Sequence, residues 1–166
     1  MGYTHYWKLR KKSENFNNFS NACKKLYENL NSYKNLPSPI VIKNSLGEGK
    51  PVFDKTIVAF NGDGDKGLDH ESFVVMNDET DFEFCKTARK PYDILAGACL
   101  LAGRDLINLE ISSDGDINDW FDIAKFYNAI IVPKNLITPK ILIKLFGDYE
   151  NNFINTHSSM DMNKPI

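Results

Sequence analysis

The segment Phe84-Cys85-Lys86-Thr87-Ala88-Arg89-Lys90-Pro91-Tyr92-Asp93 gathers a thiol, three cations and a carboxylate in one short stretch. Lys86, Arg89 and Lys90 fall at or just before the start of an expected helix. A helix start carries partial positive charge and free backbone N–H groups, so cations there are unfavourable unless something negative joins them. Asp93 answers part of that charge. A bound phosphate or carboxylate would answer the rest, with Arg89 as a fork and Lys86 or Lys90 as point charges. The competing reading is simpler: the cations pair with Glu79, Asp81 or Glu83, or are only solvated.

Cys85 shares this electropositive setting, which would lower a thiol pKa. It would still need a base, and His70 or His5 qualifies only if the fold brings one near. The cysteine-phosphatase arrangement needs a longer interval than that from Cys85 to Arg89, so that mechanism is not supported. Buried cysteines are common and inert. Cys85, His70 and Glu71 therefore stand as weak catalytic candidates, and no residue is assigned a catalytic role.

Asn61, Asp63, Asp65 and Asp69 have a superficial calcium-loop look. Lys66 stands where that loop needs glycine, and Ser72 where it needs a bidentate carboxylate. A hairpin loop with Asx turns explains the composition better, and no metal site is assigned. Asn61, His70 and Glu71 lie at adjoining strand ends and could bond a polar ligand. In His5-Tyr6-Trp7, alternation sends His5 and Trp7 to one face and Tyr6 to the other. Aromatics beside cations can stack an adenine ring, although sheet core is the plainer reading of Tyr6 and Trp7.

These residues need elements to hold them. Tyr3–Leu9 reads as a strand ended by Arg10-Lys11-Lys12. Ser13 can cap a helix in which Phe16, Phe19, Cys23, Leu26, Tyr27 and Leu30 recur at helical spacing. That helix stops before Pro37 and Pro39. Pro39–Lys43, Thr56–Phe60 and Ser72–Met76 are predicted to form an antiparallel meander, because the connections are too short for crossover helices. Asn77–Phe82 reads as an acidic loop. Pro91 suits the first position of a helix that is apolar on almost every side, hence central and buried. Leu106–Ser112 reads as a strand, and Asp114-Gly115-Asp116 as a turn whose Asp116 caps a helix from Ile117 to about Tyr127, with helix ends uncertain by ~2–4 residues. Ala129–Val132 is predicted as a last strand, and Lys140–Phe146 as a short helix after Thr138 and Pro139. The expectation is one α+β domain over 1–154 with a loose tail, 155–166.

The chain has 166 residues, 42% hydrophobic and 25% charged, all ordinary values for one globular domain. A net charge of −2 gives no field for general nucleic-acid or acidic-membrane binding. Three cysteines with no metal-type spacing argue against a disulfide framework and point to a reducing cytoplasm. The N-terminus has no apolar segment of signal-peptide type, and no apolar run is long enough for a membrane span. Self-association into a homo-oligomer stays open.

The opening Gly2-Tyr3-Thr4-His5-Tyr6-Trp7 and the block Phe84–Asp93 together resemble an uncharacterised family of bacteriophage and large-DNA-virus proteins. Phe60-Asn61-Gly62 and His70-Glu71-Ser72-Phe73 add to the resemblance, which covers roughly residues 1–110. It implies a small accessory viral protein in the host cytoplasm, of a kind that often counters host defence by binding a protein or sequestering a nucleotide signal. It carries no mechanism.

The leading expectation is a protein that binds a phosphate-bearing, nucleotide-like molecule without turning it over and without a cofactor. Arg89, Lys86 and Lys90 would hold the anion. His5, Tyr6 or Trp7 would stack a ring, and Asn61 and His70 would make polar contacts. The alternatives are a hydrolase-type enzyme using His70, Glu71 or Cys85, and a protein-interaction or structural role with a host protein as partner.

Overall fold

Aromatic and β-branched residues at alternate positions make β1 (Thr4–Leu9), and its inward residues His5, Trp7 and Leu9 are all buried. β1 is the middle strand of a three-stranded antiparallel sheet in the order β5-β1-β6, where β5 is Thr80–Lys86 and β6 is Glu110–Ser113. A second antiparallel sheet has the order β2-β3-β4, with β2 Val52–Phe53, β3 Ile57–Phe60 and β4 Phe73–Met76. Trp7 meets Phe73 across 5.2 Å between ring centres and joins the two sheets. This computed structural model describes residues 2–33, 36, 39–131 and 136–147.

The helices follow from their sequence patterns. α1 (Phe16–Asn29) buries Phe16, Phe19, Cys23 and Leu26 on one stripe. α2 (Asp93–Ile107) is buried along Leu95–Gly103, so it forms the centre of the α+β domain, between α1 and α3 (Ile117–Ile130). Gly103 is required there, because a Cβ would lie 2.3 Å from Leu109 Cδ1. α3 starts on a full capping box: Asp116 accepts from Asn118 N and Asp119 N, while Asp119 accepts from Asp116 N. α4 (Pro139–Phe146) is capped by Thr138 and stacks Phe146 on Trp120.

Several expectations need correction. The acidic stretch from Thr80 is the edge strand β5, whose aromatics face outward. Pro39–Lys43 is not a meander strand; Lys43 makes one bridge to Asn61, and Val52–Phe53 takes the third place. Leu106 and Ile107 end α2, and Ala129 and Ile130 end α3 rather than forming a strand. α2 begins two residues beyond Pro91, with Tyr92 as its cap. Ser13 lies two residues before the N-cap Asn15: its hydroxyl accepts from Asn15 N, and Asn77 clamps its backbone on both sides. Pro37, Val132 and the tail 155–166 lie outside the described residues.

Asp116→Ala removes the Oδ1 that accepts from both Asn118 N and Asp119 N at the start of α3. The urea midpoint should fall by the equivalent of about 1 kcal/mol, the usual value of an N-cap carboxylate.

Candidate functional site

β1 delivers His5 to the interior, where its ring is 0% exposed. Tyr3 and Trp120 press their edges or faces on it, each 5.1 Å away between ring centres. An imidazole buried without partners would cost several kcal/mol, on the order of 2–7 for an unpaired polar group. Both nitrogens are therefore met. Nε2 lies 2.8 Å from Asp93 Oδ1, and Nδ1 lies 2.8 Å from Ser113 Oγ. A carboxylate can only accept, so Nε2 carries a ring proton and donates to Asp93; in the neutral ring this leaves Nδ1 to accept from the Ser113 hydroxyl. Asp93 is fixed in turn by its place in the first turn of α2 and by a 2.5 Å bond donated by Thr87 Oγ.

The Thr87–Lys90 turn sits over this line. Ala88 and Arg89 have φ of +50° and +57°, a left-handed conformation that side chains with a Cβ seldom adopt. The turn is held by Ala88 N donating to Tyr3 O and Lys90 N donating to Thr87 O. Arg89 spreads its guanidinium 4.0 Å over the Tyr3 ring and forks onto Asp119. Its side chain is still 59% exposed. The hydrogen bonds it donates to Asp119 raise its pKa and keep the charge fixed. Strain of this kind persists where the surroundings over-determine it, often at binding sites.

Tyr3 is buried, and its hydroxyl faces the Ser113 side chain without a well-formed hydrogen bond among the described residues. It lies over Gly115, where a Cβ would come within 2.3 Å of the oxygen, and Gly115 N donates to Ser113 Oγ. Burial, with Asp93 and Asp119 nearby, raises the Tyr3 pKa, so the hydroxyl keeps its proton.

The expected site residues divide. His5 and Arg89 converge on Tyr3 from different sides. Trp7 is in the core and offers no ring to a ligand. Tyr6 points to the opposite face, stacks with the exposed Phe82 and donates to Asp114 Oδ1. Asn61 spends its amide on backbone: it accepts from Gly62 N and His70 N and donates to His70 O. The His70 ring is exposed, apart from this cluster. Glu71 accepts from Lys86 N, and its own carbonyl takes the Tyr92 hydroxyl at 2.6 Å. Lys90 Nζ donates to Gly67 O, and Lys86 lies against Gly2.

The lowered thiol pKa expected for Cys85 is overturned. Burial pushes it up to about 12, and its Sγ rests on Glu71 O. The carboxylates expected to pair with the cations are also different: Arg89 takes Asp119, not Glu79, Asp81 or Glu83. Ser113, Tyr3 and Asp119 escaped sequence reasoning. The only local sign was the turn Asp114-Gly115-Asp116 directly after Ser113.

No protein-family model, curated protein or solved structure matches the chain. Among the described residues, no group of His, Cys, Asp or Glu is placed to hold a metal ion. None of their helices is long and apolar enough to cross a membrane.

Cys23, Cys85 and Cys99 are all buried, and desolvation raises the pKa of Cys23 and Cys85. A disulfide reagent at pH 8 should titrate none of the thiols promptly in the folded protein and all of them in guanidinium. A prompt stoichiometric reaction of Cys85 would restore it as a nucleophile.

Proposed function

We propose that the protein binds a phosphate-bearing, nucleotide-like molecule on the Thr87–Lys90 turn. The observation that carries this reading is the pair of left-handed non-glycine residues, Ala88 and Arg89, holding a half-exposed guanidinium against Tyr3. A strained turn that displays a fork-shaped cation suits recognition of a planar or tetrahedral anion. Lys90 extends from the same turn, and Lys86 from the strand that leads into it. Asp119 is the internal anion that a ligand would share or displace. His5 and Trp7 are buried and leave no ring face for stacking, while Tyr6 stacks outward on Phe82 on the other face of the sheet. The viral resemblance adds host signalling nucleotides to the candidate ligands.

A second reading is favoured by the Arg89–Asp119 fork itself. A fully paired arginine can serve as a clasp between the start of α2 and the start of α3, in a protein whose partner is another protein.

Calorimetry against cyclic and ADP-ribose-type nucleotides separates the two. The binding reading predicts heat from at least one of them, and a loss of about tenfold or more in affinity for Arg89→Ala, as expected for a charge-assisted pair worth about 1.5–3 kcal/mol. No heat from any ligand, with Arg89→Ala acting only on thermal stability, would leave the clasp.

A further inference from the structure

The line Ser113–His5–Asp93 has a use that neither binding nor the clasp requires. We propose that Ser113 is a nucleophile toward carboxylic esters, with His5 as its general base and Asp93 as the group that orients the imidazole. The hydroxyl-to-Nδ1 and Nε2-to-carboxylate distances are both 2.8 Å, within the range of a nucleophile, a base and its orienting acid. The tautomer fixed by Asp93 is the one that can take the Ser113 proton. Ser113 is half-buried at the end of β6, between the exposed Ser112 and Asp114, while the base behind it is sealed from water by Trp120 and Tyr3.

A further observation points to a reacting group. The Tyr3 hydroxyl is buried, keeps its proton and has the Ser113 side chain as its polar neighbour, over Gly115. It is placed to donate to the oxygen that gains charge when a carbonyl is attacked. The Ser113–His5–Asp93 line uses neither Arg89 nor its partner Asp119. The proposal is therefore separate from the phosphate reading, which rests on Arg89.

In the first step Ser113 Oγ bonds to the carbonyl carbon and its proton passes to His5 Nδ1. The tetrahedral oxyanion collapses, the ester C–O bond breaks, and the alcohol leaves with the proton from His5. In the second step His5 takes a proton from water, hydroxide attacks the acyl carbon, and the Ser113 oxygen leaves and regains the proton. The products are an acid and an alcohol. Asp93 accepts from Nε2 throughout and stabilises the transient imidazolium.

A fluorophosphonate probe tests this with the intact protein and no knowledge of the substrate. Ser113 Oγ would bond to phosphorus and fluoride would leave. Intact mass should show one adduct, peptide mapping should place it on Ser113, and Ser113→Ala should abolish it. His5→Gln and Asp93→Asn, checked for folding by circular dichroism, should each slow labelling by about 100-fold or more, the usual share of a positioned base. p-Nitrophenyl acetate should give a nitrophenol burst stoichiometric with enzyme. No adduct on the folded wild type, an adduct on another serine, or a labelling rate unchanged in a folded Asp93→Asn protein would each overturn the proposal. Loss of nucleotide binding in calorimetry would not touch it.

Discussion

One buried imidazole connects the parts of this fold that the chain keeps farthest apart. His5 belongs to the first strand, Asp93 starts the central helix, and Ser113 ends the last strand of the same sheet. Leaving either ring nitrogen without a partner in this interior would cost about 1–3 kcal/mol. The position of α2 against the sheet is therefore not adjustable by small slides. It must keep Asp93 within bonding distance of Nε2 while its apolar length, Leu95 to Gly103, fills the space between α1 and α3.

The strained turn follows from that requirement. The chain leaves β5 at Lys86 and must begin α2 within a few residues, with Asp93 aimed inward at His5 and Thr87 bonded to Asp93. Ala88 and Arg89 take up the reversal in left-handed conformation, and the bond from Ala88 N to Tyr3 O pins it to β1. Arg89 is thereby turned outward over Tyr3 and toward the α3 cap. Asp119 then has two duties, closing the capping box and balancing Arg89. The same local geometry thus sets a cation at the surface and a hydroxyl-imidazole-carboxylate line beneath it.

The elements that were legible in the sequence are those coded by near neighbours. The spacing of Phe16, Phe19, Cys23 and Leu26, and the cap at Asp116, need only a few consecutive residues to be read. β5 hid because its edge position lets Asp81, Phe82, Glu83 and Phe84 all face solvent, which removes the alternation that marks a half-buried strand. Ala129 and Ile130 looked like a strand because a short apolar run has no period of its own. His5 stands out for its aromatic neighbours, but its partners lie 88 and 108 positions away, and local sequence does not pair them with it. Asn61 was noticed for its amide, yet folding spends that amide on the loop that ends at His70.

The central claim is that Asp93 fixes His5 with its proton on Nε2, leaving Nδ1 to accept from Ser113. Nitrogen-15 chemical shifts and two-bond proton couplings of the His5 ring, in folded protein at neutral pH, measure this directly. The account predicts a protonated Nε2 and a bare, hydrogen-bond-accepting Nδ1, with the Nε2 signal moving in Asp93→Asn. A ring protonated on Nδ1 alone, or one exchanging freely between tautomers, would contradict it.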